Sequence, residues 1–409
     1  MRQKIYAYIE DEFSMFHDFM WKWSSMLNYL WAAMIVIGIV YGAFTGNMTA
    51  VSDGALDSAK EAVTLCITML GVMSLWTGLM EIANRSGLID KCTKAILPLM
   101  QWLFPGVPKD HDAMQHITTN VIANFLGLGW AATPAGLRAM KALSELNVEN
   151  SRASTDMCTF LVINISSIQL IPVNIIAYRS QYGSVNPTAI VAPAILATTV
   201  STLAAIVFCK IMAGKSAFVL TSYIYNNVQN DGGFMGFIVA VSAFIIPLII
   251  FYVVVDGIIH QTDVYDVFVE GAKDGMKTVV SILPTLIGLM MAVGILRASG
   301  FLAWISAKIG ILTDPFGIPS QMIPLIIVRM FSSSAATGLS LDLFREYGTD
   351  SYIGLITSIM MSCTETIFYT MSVYFLAAKV RKTRWTLAGA LVSTAAGIAA
   401  SVFLARLMS

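Results

Sequence analysis

Two polar clusters lie inside segments that are otherwise apolar enough to be buried in a membrane. Glu365 stands in the run 362–369, and Gln169 stands at the corresponding place in the run 164–174. A carboxylate opposite an amide suits hydrogen bonding to a polar solute, and the carboxylate could also hold a cation or a proton. Because polar groups are costly inside a membrane, these residues are functional candidates. The alternative is structural, with Glu365 paired to Arg329.

The spacing of the second cluster favours one shared helical face. Ser362, Glu365 and Tyr369 are separated by three and then four residues, which a continuous helix places on one side. The first cluster contains comparable groups in Asn164 and Ser166. Both clusters could therefore present hydrogen-bonding groups to the same solute.

A second group of polar residues lies where apolar stretches are interrupted by small residues. Asn120 and Asn124 are one helical turn apart, and they either point at a solute or satisfy backbone groups that the interruption frees. Arg329 is a lone arginine in an apolar arm, so it needs a carboxylate, helix-end carbonyls or a substrate anion as its partner. The predicted solute-binding residues are Asn120, Asn124, Thr133, Asn164, Ser166, Gln169, Arg329, Ser333, Thr337, Ser362, Glu365 and Tyr369.

The sequence does not indicate an enzyme. It contains no paired nucleophile and base, no phosphate-binding loop, and no metal motif among its five cysteines and four histidines. We therefore predict no catalytic residue, no cofactor and no metal site. The formal net charge is zero, with 25 basic and 25 acidic residues, which implies no nucleic-acid partner.

The elements that must position these residues are membrane helices. Hydrophobic residues make up 56% of the chain and charged residues 12%, whereas soluble proteins carry about 25% charged residues. The fold class is therefore all-α and polytopic. Charge-poor runs long enough to cross a bilayer predict eight spans, four in each half. They lie near 26–46, 61–83, 156–178, 189–209, 233–255, 276–296, 352–376 and 386–405.

Each half also carries an interrupted apolar stretch between its second and third span. The first stretch runs from residue 116 to residue 146 with breaks at Gly127, Gly129 and Pro134, and the second starts at residue 323 with its break at Ser332–Ser334. Glycine and proline interrupt the helical hydrogen-bond ladder. Freed backbone groups are tolerated in a membrane only against protein or a wet cavity. We predict re-entrant helical hairpins; a pair of interfacial helices is the alternative.

The second half of the chain repeats the first. The matches keep their order along the sequence: Ala59–Glu61 with Ala272–Asp274, Gly106–Pro108 with Gly317–Pro319, Ala131–Thr133 with Ala335–Thr337, and Ser166–Gln169 with Ser362–Glu365. Duplicated halves around a polar centre are typical of membrane transporters. The predicted organisation is an amphipathic N-terminal segment at 1–25, a first repeat at 26–210, a linker at 211–232 and a second repeat at 233–409.

The basic residues do not settle the relation between the repeats. Eight crossing spans place most basic residues on the side that holds both hairpins, which predicts a cytoplasmic location for that side. The basic loop Lys379–Arg384 then falls on the opposite side. Whether the repeats run parallel or inverted stays open at this level.

Two stretches resemble a known family. Residues 120–140 are similar to the signature region of spore maturation protein A, and residues 354–374, which include Thr364–Tyr369, resemble spore maturation protein B. That family commonly has an aspartate where Glu365 stands, so the acidic character is kept at a different length. Both proteins belong to the nucleoside-recognition (Gate) group, which also includes parts of concentrative nucleoside transporters and ferrous-iron permeases. The resemblance covers nearly the whole chain as an A-type half followed by a B-type half.

Together, the polar clusters and the resemblance predict a transporter of a small polar solute in a bacterial inner membrane. The resemblance implies nucleosides or related metabolites, with Na⁺ or H⁺ as a coupling cation. The predicted partners are the lipid bilayer, the solute and the cation, and the sequence leaves a homo-oligomer open. The alternatives are a membrane scaffold for envelope assembly or spore maturation that transports nothing, and an ion permease.

Overall fold

A computed structural model describes residues 31–127, 129–147, 151–214, 232–305, 308 and 317–409. Across these ranges the secondary structure is helical, with one isolated backbone bridge between Arg152 and Lys382. The predicted N-terminal segment 1–25 and most of the predicted linker 211–232 lie outside them. The structure agrees with the all-α fold class that the sequence predicts.

The two repeats contain corresponding helices in the same order. In the first repeat they are α1 (Trp31–Thr45), α2 (Met48–Arg85), α3 (Leu88–Leu103), α4 (Asp112–Phe125), α5 (Gly129–Glu145), α6 (Thr155–Ile165), α7 (Val173–Gln181) and α8 (Val191–Met212). In the second repeat they are α9 (Gly232–Ile259), α10 (Val264–Ala298), α11 (Ile323–Phe331), α12 (Ser333–Tyr347), α13 (Tyr352–Cys363), α14 (Ile367–Ala377) and α15 (Thr386–Met408).

Four described helices are long and apolar enough to cross a membrane: α2, α8 with the 3₁₀ turn before it, α10 and α15. Helices α2 and α10 contain 38 and 35 residues. At about 1.5 Å of rise per residue, both exceed the thickness of a hydrocarbon layer of roughly 30 Å. The chain is a multi-pass membrane protein, as its composition predicts.

The third predicted span of each half is not one helix. Residues 156–178 divide into α6 and α7 around a break at Ser166–Pro172, and residues 352–376 divide into α13 and α14 around Thr364–Thr366. Most residues of α6 and α13 are buried. The two breaks therefore lie inside the protein, where interrupted backbone can be satisfied by neighbouring segments.

Both predicted hairpins are present. Helices α4 and α5 form the first hairpin, with a turn at Leu126 and Gly127 at its tip. Helices α11 and α12 form the second, where the single residue Ser332 separates the arms and caps α12 by accepting a hydrogen bond from Ala335 N–H. These hairpins bring two tips towards the two breaks.

Helices α2 and α10, which correspond to each other in the repeat, pack antiparallel over most of their length. The start of α2 lies against the end of α10, where a Cβ on Gly294 would stand 2.1 Å from Ser58 Oγ. The end of α2 lies against the start of α10, where a Cβ on Gly275 would stand 2.3 Å from Thr77 Oγ1. Only glycine permits this approach of the two backbones.

Helices α8 and α15 repeat this arrangement. Ser201 Oγ donates to Ser393 O at 2.9 Å, and Phe208, nearer the end of α8, packs on Gly389, nearer the start of α15. Because two pairs of corresponding helices are antiparallel, the axis that relates the repeats is perpendicular to them. The repeats are therefore inverted, which answers the question that the sequence left open.

Inversion gives the molecule two distinct faces. The first-hairpin face contains the open end of the first hairpin, where α4 begins and α5 ends. The second-hairpin face contains the open end of the second hairpin, where α11 begins and α12 ends. The basic loop Lys379–Arg384 lies on the first-hairpin face, because Ala153 N–H donates to Lys382 O and Lys382 N–H donates to Ser151 O. This removes the conflict in the distribution of basic residues. The loop shares a face with Lys141 and Arg152 of the first half, although four continuous spans in each half would have separated them.

Candidate solute-binding site

The first break, at Ser166–Pro172 between α6 and α7, is produced by local side-chain and backbone chemistry. Helix α6 begins at a capping Ser154, which accepts a hydrogen bond from Met157 N–H, and ends at Ile165. Ser167 then adopts a positive φ of 55°, and Pro172 lacks the backbone donor that would extend the ladder. The break therefore results from these local backbone restrictions and is not a frayed helix end.

The tip of the first hairpin packs directly on this break. Leu170 N–H donates to Phe125 O at 2.8 Å, and Trp76 Nε1 donates to Leu126 O at 3.2 Å. Gly127 has a φ of 75° and lies so close to Ile171 O that a Cβ would stand 3.2 Å from it. Only glycine is suited to both the conformation and the contact.

Neutral amides line the space between the first hairpin and α6. Asn124 Nδ2 donates to Asn164 Oδ1 at 3.0 Å, and Asn164 Nδ2 donates to Phe160 O at 2.9 Å. Asn120 is fully buried and donates to Ala132 O at 2.7 Å across the hairpin. Asn124 and Asn164 thus contact each other, while Asn120 holds the two arms of the hairpin together.

The second break, at Thr364–Thr366 between α13 and α14, forms without glycine or proline. Helix α13 begins at a capping Ser351 and ends at Cys363, after which Thr364 and Thr366 are extended. Thr364 Oγ1 donates back to Met360 O at 2.7 Å. This bond satisfies one terminal carbonyl of α13 and helps to end the helix there.

Arg329 of the second hairpin reaches into the second break. Its Nη1 donates to Ser333 Oγ at 2.8 Å, and its Nη2 donates to Thr364 O and, at 3.4 Å, to Met361 O. The same nitrogen lies 3.5 Å from Glu365 Oε2. The Arg329 side chain is 6% exposed and that of Glu365 is 41% exposed, so a buried cation faces a half-exposed carboxylate.

The first break contacts the last turn of α13, next to the second break. Ser167 Oγ donates to Ser362 O at 3.4 Å, and Thr198 Oγ1 of α8 donates to Ser167 O. Ser166 is within 3.0 Å of Thr202 on α8. Hydroxyl groups and backbone carbonyls therefore join the first break to the end of α13 and to α8.

The predicted site residues divide into those near the breaks and those turned elsewhere. Asn124, Asn164, Arg329, Ser333 and Glu365 converge on the two breaks, in two separate groups. Ser166 and Ser362 are buried and donate to Ile163 O and Ser358 O of their own helices. Gln169 donates to Ile171 O at 2.9 Å beside the first break.

The expectation of one helical face for the second cluster is wrong. The break between Cys363 and Ile367 separates Ser362 on α13 from Glu365 in the break and from Tyr369 on α14, so helical spacing no longer aligns them. Tyr369 is 40% exposed. Thr337 donates to Ser333 O within its own helix, and the side chain of Thr133 lies outside the described part of the structure.

Two kinds of residue escaped the sequence analysis. Arg179 is 1% exposed and joins the repeats by donating to Thr349 O at 2.7 Å, Ser358 Oγ at 3.0 Å and Asp350 Oδ1 at 2.6 Å. An arginine beside an apolar run needs a partner, which is why the sequence identifies Arg329 as a candidate. Arg179 also follows an apolar run, so the same reasoning applies to it. The buried Tyr374 of α14 packs on Gly136 of the first hairpin. A tyrosine in an apolar segment does not stand out in the sequence as a charged residue does.

The described cavities are small at the centre and larger at the faces. The cavity beside Asn124 and Asn164 has about 10 Å³, which is close to the space one water needs. A cavity of about 300 Å³ on the second-hairpin face is lined by Arg297 and Asp342, which form an ion pair at 2.9 Å. Among the described residues no group of three or more histidine, cysteine or acidic side chains could hold a metal ion.

Comparisons with known proteins identify relatives of both halves. The nucleoside-recognition (Gate) family model matches residues 66–184 and 279–381. Spore maturation protein A of Bacillus subtilis (strain 168) is 44% identical over 182 residues, which cover 44% of this chain and 93% of that protein. Spore maturation protein B of the same organism is 36% identical over 163 residues, which cover 40% of this chain and 92% of that protein.

A solved structure of a variant of CNTnw in its intermediate 3 state is also similar. Its TM-score is 0.45 at 12% identity, and the match covers 96% of this chain and 88% of that chain.

Proposed function

The chain belongs to the nucleoside-recognition (Gate) family, as a fusion of halves like spore maturation proteins A and B, and we propose that it transports a small polar solute. The solute would bind between the two helix breaks and the two hairpin tips. The sequence assigns no catalytic residues, and the proposed activity is movement of an unmodified solute.

The observation that carries this proposal is the pairing of two interrupted helices with two hairpins across an inverted repeat. In such a frame we expect backbone carbonyls and polar side chains near the membrane midplane, where a packed structural core would have apolar side chains. Asn124, Asn164 and Glu365 are the groups that we expect to contact the solute. Tilting of one repeat against the other would then expose the site to each face in turn.

Nucleosides are the first solute class to test. The family's description supports this choice, and the site offers amide donors and acceptors on one side and a carboxylate on the other. An uncharged ring compound with several hydrogen-bonding groups would suit both sides. With about 10 Å³ beside Asn124, such a solute requires the hairpin tips to separate from the breaks.

The decisive experiment is a thermal-shift screen of the purified protein. The panel contains nucleosides, nucleobases, pentoses and amino acids, because a ligand that binds only the native state raises the melting temperature with its concentration. A ligand at 100 times its Kd stabilises the native state by about 2.7 kcal/mol. The same ligand is then tested for uptake into proteoliposomes.

Site variants and matched controls give this screen its specificity. We expect Glu365→Gln and Asn164→Ala to weaken both the thermal shift and the uptake. Glu270→Gln and Gln101→Ala change the same groups away from the breaks and should leave both unchanged. Unaltered uptake in both site variants would overturn the site assignment.

One observation favours a second function, that of a membrane scaffold without transport. The amides near the first break are hydrogen-bonded to each other or to backbone, and the central cavity is no larger than a water. A scaffold predicts that no solute stabilises the protein and that Glu365→Gln keeps the cellular phenotype. Substitutions in the exposed loop Lys379–Arg384 should then abolish it.

We also propose that the first-hairpin face lies in the cytoplasm of a bacterial inner membrane. Basic residues are enriched on the cytoplasmic side of membrane proteins. The first-hairpin face contains Lys91, Lys109, Lys141, Arg152, Lys210, Lys379, Arg381, Lys382 and Arg384. The second-hairpin face contains fewer, namely Lys60, Arg179, Arg297, Lys308, Arg345 and Arg406.

Cysteine labelling of intact cells tests this orientation. Val185 is 95% exposed on the second-hairpin face, and Lys382 is exposed on the other. With Cys92→Ala as background, a membrane-impermeant maleimide should label Val185→Cys in intact cells and Lys382→Cys only after lysis. The reverse pattern would invert the assignment.

A further inference from the structure

The second break contains the set of oxygen atoms that normally surrounds a metal cation. Two backbone carbonyls, Met361 O and Thr364 O, the hydroxyl of Ser333 and the carboxylate of Glu365 all face one position. Hard monovalent and divalent cations prefer such oxygen ligands. In transporters with interrupted helices, unwound carbonyls and the C-terminal ends of half-helices coordinate the coupling Na⁺.

That position is occupied by the guanidinium of Arg329. Each of the four oxygen groups lies within 3.5 Å of Nη1 or Nη2. The position also follows the C-terminal end of α13, where the helix dipole favours positive charge. A charged donor at this point makes hydrogen bonds roughly twice as strong as a neutral donor would.

The Nη1 and Nη2 atoms of Arg329 bond to these oxygens, while its third donor nitrogen, Nε, stays unpaired within the described residues. Arg329 Nε is buried and has no hydrogen-bond partner among the described atoms. An arginine placed to satisfy all of its own donors would not leave one unpaired when its side chain is only 6% exposed. The geometry is thus set by the carbonyls and the carboxylate around the two Nη atoms.

The first break has no such cation. One carbonyl in the last turn of α6 and one in the break accept hydrogen bonds from hydroxyl groups of the chain itself, namely Ile163 O from Ser166 Oγ at 2.6 Å and Ser167 O from Thr198 Oγ1. The facing hairpin supplies the neutral amide of Asn124. The positive charge therefore belongs to the second break alone within the described residues of the two breaks.

We propose that Arg329 is a tethered cation, which takes the place of a monovalent metal ion at the second break. The second repeat then needs no cation from solution to balance Glu365 or to satisfy the carbonyls of the break. This revises the expectation of a coupling Na⁺ for this half of the molecule. It also defines a latent Na⁺ site, which removal of the guanidinium should reveal.

The test measures thermal stability without any solute, so its result is independent of whether the protein transports. Wild-type protein, Arg329→Ala and Arg329→Gln are melted in NaCl, KCl and choline chloride at equal ionic strength. Choline is too large to enter the oxygen set. We expect wild-type protein to melt at the same temperature in all three salts.

Both Arg329 variants should melt several degrees higher in NaCl than in choline chloride, because Na⁺ binds the exposed oxygen set of the native state only. The double variant Arg329→Ala with Glu365→Gln lacks the carboxylate ligand and should lose most of this difference. Asn124→Ala changes the first break and, although less stable, should melt at one temperature in all three salts, as the wild-type protein does.

Three results would overturn the proposal. The first is an equal response to Na⁺ in wild-type protein and both Arg329 variants. The second is a Na⁺ response of wild-type protein that Glu365→Gln abolishes, because Na⁺ would then bind beside the guanidinium. The third is failure of both Arg329 variants to fold in every salt, since a cation in solution would then be unable to replace the side chain.

Discussion

The two helix breaks have the same architecture and opposite chemistry. Each lies at the end of a buried half-helix, and each is met by a hairpin of its own repeat. The first break is lined by neutral amides and hydroxyl groups, with Asn124 bonded to Asn164. The second contains the Arg329–Glu365 pair. Duplication has therefore conserved the backbone frame while the side chains diverged.

This difference explains why the second break needs neither glycine nor proline. The first is enforced by backbone restrictions at Ser167 and Pro172. In the second, Arg329 donates to carbonyls that a continuous helix would have used, so the guanidinium holds the break open. The first break is determined by residues within it, whereas the second depends on Arg329, more than thirty positions away in the sequence.

Removal of the guanidinium should produce the largest effect. In a buffer without Na⁺, Arg329→Met leaves the buried carbonyls of the break without their donor, and each buried acceptor left unsatisfied costs about 1–3 kcal/mol. Asn124→Ala removes neutral hydrogen bonds, which contribute about 1 kcal/mol. Unfolding by SDS titration in mixed micelles should rank the two variants in this order.

Equal losses for the two variants would contradict the distinction between the breaks. The half-exposed Glu365 supplies an internal check, because its own removal by Glu365→Gln should cost less than removal of Arg329. A carboxylate that reaches solvent can be hydrated, whereas the buried carbonyls cannot.

A change at the contact between the repeats should have an intermediate effect. Tyr374 of α14 packs on Gly136 of the first hairpin, where an added Cβ would stand 2.4 Å from the tyrosine oxygen. Gly136→Ala therefore forces Tyr374 away, and overpacking of this kind costs about 1–3 kcal/mol. The melting temperature should fall, and Tyr374→Phe in the same chain should recover part of the loss.

Gly71→Ala is the matched control for this substitution. It lies in α2 with nothing within 4 Å of an added Cβ, so alanine should leave stability unchanged or raise it by about 0.5–1 kcal/mol through backbone entropy. A fall in melting temperature for Gly71→Ala equal to that for Gly136→Ala would mean that the contact with Tyr374 is not the cause.

The sequence predicts the frame of this molecule better than the contacts within it. Long apolar runs and interruptions at Gly127 and Ser332 are enough to locate the membrane helices and both hairpins, because these features depend on local composition. The break at Thr364–Thr366 has no local signal, since the donor that holds it open comes from another helix. Helical spacing therefore predicts a shared face for Ser362 and Tyr369 that the break removes.

Inversion of the repeats was beyond the sequence for a similar reason. Four continuous spans in each half imply parallel repeats, and the antiparallel packing of α2 on α10 is a tertiary contact. Small residues such as Gly294 and Gly275 mark the close approach, but composition gives no direction. Arg179 shows the same limit, because its partners Thr349 and Asp350 belong to the other repeat.

The smallest expected effect distinguishes the contacts between the repeats at the two faces. On the second-hairpin face, burial disfavours the charged form of Asp350. Hydrogen bonds from Ser184 and Val185 N–H and the charge of Arg179 outweigh this, so the pKa of Asp350 is lowered from 3.8. On the first-hairpin face, Arg384 donates to Ala153 O and Thr155 Oγ1, neither of which titrates.

A carboxyl group with a lowered pKa in the folded state stabilises that state above its unfolded pKa, and the contribution is lost as the pH falls through the folded pKa. The difference in melting temperature between wild-type protein and Asp350→Asn should therefore be constant above about pH 5 and shrink below about pH 4. Because the Asp350 side chain is 43% exposed, the full effect should stay below about 1 kcal/mol. Arg384→Gln should lower stability by the same amount at every pH, since both of its partners are neutral and do not titrate. If its loss also shrinks in acid, the titrating group is not Asp350, and the two faces do not differ in the way that their contacts imply.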